Sequence, residues 1–190
     1  MIAMAKLISL MHLSLDGFAS GPNGEMNWIT MDQEIFAYVS KYILTVETGV
    51  YGPKTFQMME GYWPDVLESP ESGDLEIKHA KWYQSAKKIV CSRTLTHVEN
   101  PDAHLVANLE DIRKLKQQSE KDMMVFGSPR LTQSLARLDL FDEYLINVNP
   151  VLVGGGIKMF DDLPRTTLNL VNAITFDSGV VGFHYMKQLQ

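Results

Sequence analysis

Short apolar runs, each closed by a turn of Gly, Ser, Asp or Pro and followed by a segment of helical periodicity, recur through the first three-quarters of the chain. Leu7–Leu15 is the first, broken only by Ser9, His12 and Ser14 and ending at Asp16-Gly17. So short and apolar a run suits a strand buried on both faces. The same texture predicts strands over Val46–Tyr51, Lys88–Cys91 and Met123–Phe126. Between the first two, Asp32–Thr45 sets Ile35, Phe36, Val39, Tyr42 and Ile43 at three- and four-residue steps, the spacing of one helical face. Further helices are predicted over Phe56–Glu60, Leu75–Ser85 and Asn108–Glu120, and from Ser128-Pro129 onward with Leu131, Leu135 and Leu138 on one side. Gly61–Asp74, where Gly, Pro, Glu and Ser concentrate, reads as a surface loop. Beyond Leu140, the segments Tyr144–Val153, Leu168–Phe176 and Val180–Met186 are strand-like, and Asp177-Ser178-Gly179 turns the last two into a hairpin. Strand–helix alternation that ends in a hairpin implies an α/β domain spanning 1–190, its sheet mostly parallel, covered on both faces and finished by an antiparallel edge.

Composition narrows the function. With 45% apolar residues the chain can bury a full core, and 17 basic against 23 acidic residues give a net charge of -6. That field repels a polyphosphate backbone, so no nucleic-acid partner is expected. A lone cysteine, Cys91, forms no internal disulfide, and Met1–Leu10 lacks the long apolar core of a secretion signal, which points to the cytoplasm. No apolar run approaches the roughly 20 residues of a membrane-spanning helix. Neither metal-ligand Cys/His spacing nor a nucleophilic-serine elbow is present.

In an open parallel sheet, ligands sit beyond the C-terminal ends of the strands, where turns and helix N-termini converge. Four turns occupy such places. Gly52-Pro53-Lys54-Thr55 offers a helix N-terminus with an ammonium and a hydroxyl for phosphate oxygens. Gly127-Ser128-Pro129 offers a second, with a glycine that permits close backbone approach. Ser92-Arg93-Thr94 flanks a guanidinium with two hydroxyls, a group suited to a ribose 2′-phosphate. Each is equally an ordinary turn or helix start on its own; recurrence at one end of successive strands is what carries the reading. The fourth, Ser14-Leu15-Asp16-Gly17, brings a carboxylate. Asp32 and Glu34 stand where the helix dipole alone would favour acids. A carboxyl group walled by Trp28 and Phe36 would have a raised pKa and could hold a substrate amide or deliver a proton. His12 reads as a packed histidine. Gly154-Gly155-Gly156 is either a phosphate-cradling turn or a bend where cofactor or a partner chain meets bare backbone.

Taken in order, Ser14-Leu15-Asp16-Gly17 with Trp28-Ile29-Thr30, Gly52-x-Lys54-Thr55-Phe56, Ser92-Arg93-Thr94, and Pro150-Val151-Leu152-Val153-Gly154-Gly155-Gly156 with Phe160 resemble the dihydrofolate-reductase-like superfamily. Within it they are most similar to the C-terminal reductase domain of the bifunctional riboflavin-biosynthesis deaminase/reductase. The resemblance implies a three-layer fold on a mostly parallel eight-stranded sheet, NADPH as hydride donor, and a homodimer. It assigns nucleotide binding to Lys54, Thr55, Ser92, Arg93, Gly127 and Ser128, and it turns Asp16 toward the substrate. In the folate-reducing branch the acid lies on the first helix, which nominates Asp32, ahead of Phe36. Arginine is usual in the family at Pro53 and a second glycine at Ser128, so NADH stands beside NADPH as a possible donor. No zinc-ligand pattern of a deaminase precedes the domain, so a stand-alone reductase of a small heterocyclic or carbonyl-bearing metabolite is expected. Dihydrofolate reductase and a non-catalytic nucleotide-binding or regulatory protein remain as alternatives.

Overall fold

The computed structural model describes residues 5–188; positions 1–4 of the segment read above for a secretion signal lie outside them. Its strands are β1 Leu7–Ser14, β2 Phe18–Ser20, β3 Thr48–Tyr51, β4 Lys87–Cys91, β5 Ala103–Val106, β6 Met123–Phe126, β7 Glu143–Asn149, β8 Ile157–Lys158, β9 Leu168–Thr175 and β10 Val181–Lys187. The helices are α1 Gln33–Ile43, α2 Pro53–Glu60, α3 Trp63–Glu68, α4 Asp74–Ser85, α5 Glu110–Gln118 and α6 Pro129–Arg137.

Eight strands form one sheet in the order β5-β4-β3-β6-β1-β7-β10-β9, with β5 through β7 parallel and the β9–β10 hairpin antiparallel at the edge. Strand β1 lies between β6 and β7, and this central place explains its apolar run. Leu7, Met11 and Leu13 pack on one face with Ile112 of α5 and Leu131 and Leu135 of α6. Ile8 and Leu10 pack on the other with Ile35 and Val39 of α1, Phe56 of α2 and Tyr83 of α4. Alternate residues of one strand therefore join two helical layers to the sheet, the three-layer arrangement that the resemblance implies. Each fully buried Leu or Ile in this arrangement contributes about 1.5–3 kcal/mol.

The sequence reading differs from the structure at short or marginal elements. Within the predicted 61–74 loop lies α3, which starts at Trp63-Pro64 and buries Val66; six residues are too few to show a helical period. Strand β5, a four-residue edge strand that is half exposed, leaves no pattern in the sequence. The strand predicted to run to Val153 stops at Asn149, since Pro150 has no N–H for the ladder, and beyond it the segment stays beside the turn after β1 through single hydrogen bonds such as that from the Leu15 N–H to the Val151 carbonyl. Likewise β1 stops at Ser14, leaving Leu15 66% exposed. The β2–β8 pair, two or three residues a side, is too short to be read from pattern. No helix among the described residues is long and apolar enough to cross a membrane.

Gly156 shows what the triple glycine does. Its φ is +124°, and a Cβ there would stand 2.0 Å from the Ser20 carbonyl oxygen and 2.7 Å from the Gly21 carbonyl carbon. Bare backbone at 156 lets β8 approach β2. Gly156→Ala is expected to cost about 2–4 kcal/mol through the clash and the strained φ, read as a lower urea midpoint with an unchanged slope. A loss under about 0.5 kcal/mol, the size of an ordinary surface substitution, would contradict this role.

Candidate functional site

Parallel pairing of β4, β3, β6 and β1 points their C-terminal ends the same way, so the turns after them gather at one edge of the sheet. After β3, Gly52 caps α2 and Pro53 begins it. After β6, Gly127 and Ser128 both take left-handed backbone, φ 49° and 53°, before Pro129 begins α6. Left-handed backbone costs a non-glycine residue about 1–2 kcal/mol, and Ser128 gains hydrogen bonds in return. Its Oγ accepts from the Gly52 N–H at 2.9 Å and donates to Thr55 Oγ1 at 2.8 Å. Two βα turns from different parts of the chain are thereby bound together, and the Thr55 hydroxyl keeps its own proton to donate elsewhere.

Gly52, Lys54, Thr55, Ser92, Arg93, Thr94 and Ser128 all line one cleft of about 840 Å³. Ser92 organises its turn rather than pointing a free hydroxyl outward: its Oγ accepts from the amides of Thr94 at 3.2 Å and Leu95 at 3.0 Å. Lys54 and Arg93 are exposed and belong to none of the ion pairs formed among the described residues. Two free cations and two helix N-termini, all facing one groove, can receive an extended polyanion. Sequence reasoning missed Asn108 and Arg130, which line the same cleft. Asn108 follows β5 and would have been found by the strand-end rule had that edge strand been recognised.

A second cavity of about 570 Å³ adjoins the first, and the two share Lys54, Thr55, Ser128, Pro129 and Ile157 in their walls. Gly127 lines this one. Phe36 of α1 forms part of its wall, with the His79 ring edge-on at 4.6 Å and the Trp63 ring stacked at 6.4 Å. Trp28 does not line it; the indole Nε1 donates to the Glu25 carbonyl at 3.2 Å. His12 does, so the histidine read as merely packed stands in the cavity wall, as does the overlooked His79. Burial pushes both imidazoles down to about 4, which leaves them neutral at pH 7. The sequence held no signal for His79, since only the fold brings α4 against α1.

Both nominated carboxylates lie outside that wall. Asp16 accepts from the Ser14 hydroxyl at 2.6 Å and from the Val153 and Gly154 amides at 3.1 and 2.8 Å. Those donors, Ser14 foremost, hold it down to about 2, the reverse of the raised value expected for a carboxyl in an apolar pocket. Asp32 caps α1 by accepting from the Ile35 amide at 2.9 Å, which lowers its pKa as well. Gly154 and Gly155 line neither cavity; the Gly154 amide is taken by Asp16, and Gly155 lies against Pro22. The phosphate-cradling reading of these glycines therefore gives way to a structural one. Among the described residues no cluster of potential metal ligands occurs.

The family model described as the RibD C-terminal domain matches residues 5–182. YyaP of Bacillus subtilis (strain 168), an uncharacterized protein, is 34% identical over 182 residues, covering 95% of this chain and 94% of its own. Among solved structures, a putative riboflavin biosynthesis protein from Shewanella sp. PV-4 superposes with a TM-score of 0.74 at 20% identity, over 97% of this chain and 99% of that one. The dihydrofolate reductase of Enterococcus faecalis, complexed with NADP(H), superposes with a TM-score of 0.66 at 14% identity, over 97% of each chain. At these identities the two structures speak for the fold alone. The sequence match over nearly the whole chain goes further: this protein belongs to the RibD C-terminal domain family.

Proposed function

We propose that the protein is an NADPH-dependent reductase of a small molecule, with the cofactor held in the polar cleft and the acceptor in the adjoining apolar cavity. The observation that carries this reading is the convergence of Lys54, Thr55, Ser92, Arg93 and Ser128 on one groove that opens into a second pocket. The groove suits the cofactor chemically. The α2 and α6 N-termini and the Thr55 hydroxyl face a diphosphate, Lys54 adds a compact charge, and Arg93 with Arg130 supplies planar donors for a 2′-phosphate. Family membership and the NADP(H) complex of a fold relative support the same assignment. When bound, NADPH supplies a hydride to the acceptor. The chain's own part is to position that acceptor against Phe36 and Trp63 and to exclude water from it. With no carboxylate among the lining residues, the accompanying proton comes from a group other than Asp16 or Asp32. A folate substrate finds less support, because the acid nominated for it, Asp32, is a helix cap outside the cavity.

Calorimetric titration tests the cofactor assignment. Lys54→Ala is expected to weaken NADPH and NADH alike, and Arg93→Ala to weaken NADPH by about ten- to a hundredfold while changing NADH little, the size of one lost charged contact. Equal losses for both nucleotides at Arg93 would remove it from the 2′-phosphate site. Absence of binding by either nucleotide at millimolar concentration would end the reductase reading, and binding without turnover on any acceptor would favour a regulatory nucleotide-binding role.

We also propose a homodimer, supported by the edge strand β9, whose outer backbone has no neighbouring strand among the described residues and whose Leu170 and Val171 are 56% and 51% exposed. Light scattering is expected to give twice the chain mass, with Leu170→Lys shifting it toward one chain. A single-chain mass for the unaltered protein at micromolar concentration would contradict the dimer.

A further inference from the structure

The apolar cavity has an unusual charge inventory for a site next to a polyanion groove. Among its lining residues there is no carboxylate and one ammonium, Lys54, which also lines the groove. Five methionines, Met11, Met26, Met31, Met58 and Met59, stand in the same wall. Unbranched thioethers conform to flat rings and make favourable sulfur–aromatic contacts. Phe36, Trp63 and Trp82 add rigid aromatic surface.

Of the other polar side chains in the wall, Thr55, Ser128, Trp63 and Trp82 have hydrogen-bond partners and a second group does not. Among the described residues His12 Nδ1, Ser20 Oγ and His79 Nε2 are buried without a hydrogen bond, and all three side chains line the cavity, whereas the Tyr51 hydroxyl, also unpaired, is turned back over Gly49. Buried polar atoms are normally paired, so three unpaired ones around one cavity indicate a wall whose polar complement comes with a ligand or with water. Neutral imidazoles and hydroxyls match ring carbonyls and ring nitrogens. They offer a phosphate or carboxylate no compensating charge, and an ion buried without one is strongly disfavoured. The ammonium at the shared rim would have to serve two anions at once.

We propose that this cavity takes an uncharged, flat aromatic or heteroaromatic ring bearing no phosphate or carboxylate, selected by a methionine- and aromatic-lined wall in which Lys54 is the one cation and His12, Ser20 and His79 are the unpaired polar side chains. The inference rests on the reading that the groove beside it holds the nicotinamide cofactor and occupies Lys54. A volume of about 570 Å³ accommodates two or three fused rings.

Three probes that share one bicyclic ring test it: 2-naphthol, 2-naphthoate and 2-naphthyl phosphate, titrated by calorimetry into the protein with and without saturating NADP+. The expected result is that 2-naphthol binds at least about tenfold more tightly than either anion when NADP+ is present. Met58→Lys, a change at a rim residue that is 48% exposed, is expected to narrow that gap by about tenfold, with an unchanged melting temperature. The proposal is overturned if either anion equals or exceeds 2-naphthol, if no probe binds while NADP+ does, or if Met58→Lys leaves the discrimination unmoved in a folded protein. A titration of NADP+ alone separates the two readings. Should the nucleotide fail to bind while the rings keep their order, the cofactor assignment falls and the cavity's preference stands.

Discussion

The hydroxyl of Ser128 holds together two turns that are 73 residues or more apart in sequence, and the candidate site is built on that junction. Without it, Gly52 would lose its amide acceptor, and α2 and α6 would present their N-termini independently. The residue carries opposing costs: a left-handed backbone worth about 1–2 kcal/mol of strain against two hydrogen bonds of about 1 kcal/mol each. These nearly cancel. What remains is geometric, because the bridge fixes which way the Thr55 proton points and how close the two helix termini lie. Gly52 shares in the arrangement, since a Cβ there would come 3.2 Å from Ser128 Oγ.

From this junction the site divides into two electrostatic compartments. On one side, cations without carboxylate partners and helix dipoles add up to a local positive field on a chain whose net charge is -6. On the other, Met, Phe and Trp side chains enclose neutral imidazoles. Lys54 and Thr55 stand at the boundary, so a ligand long enough to span both sides meets its charge and its ring in separate surroundings. The acids of the first loop and helix serve the frame: Asp16 ties the turn after β1 to the 153–154 segment, and Asp32 stops α1 from fraying.

Much of the scaffold and half of the site were legible in the residues. Periodicity found β1, α1, β4 and β6 because long or fully buried elements leave a clear pattern, and the rule that ligands meet strand ends brought Lys54, Thr55, Ser92, Arg93 and Ser128 into one cleft. The carboxylates lie outside the cavity wall, and the pattern did not show this for a physical reason. Composition shows that Asp16 and Asp32 are acids near apolar residues, but whether backbone amides reach them depends on the path of a loop such as 150–154, which pattern does not encode. His79 was invisible for a related reason, as its meeting with Phe36 and Trp63 is a product of packing between α4, α1 and α3. Pattern left Gly154-Gly155-Gly156 open between a phosphate-cradling turn and a bend against cofactor or a partner chain; in the fold the close approach is at Gly156 alone, and its neighbours are Ser20 and Gly21 of the same chain.

A structure of the protein crystallised with NADP+ tests the central claim most directly. The account predicts the diphosphate within hydrogen-bond distance of the α2 and α6 N-terminal amides and the Thr55 hydroxyl, with the nicotinamide ring at the mouth of the cavity walled by Phe36, Trp63 and His12. A nucleotide seated away from Lys54, Arg93 and Ser128, or with its diphosphate against Gly154–Gly156, would contradict it.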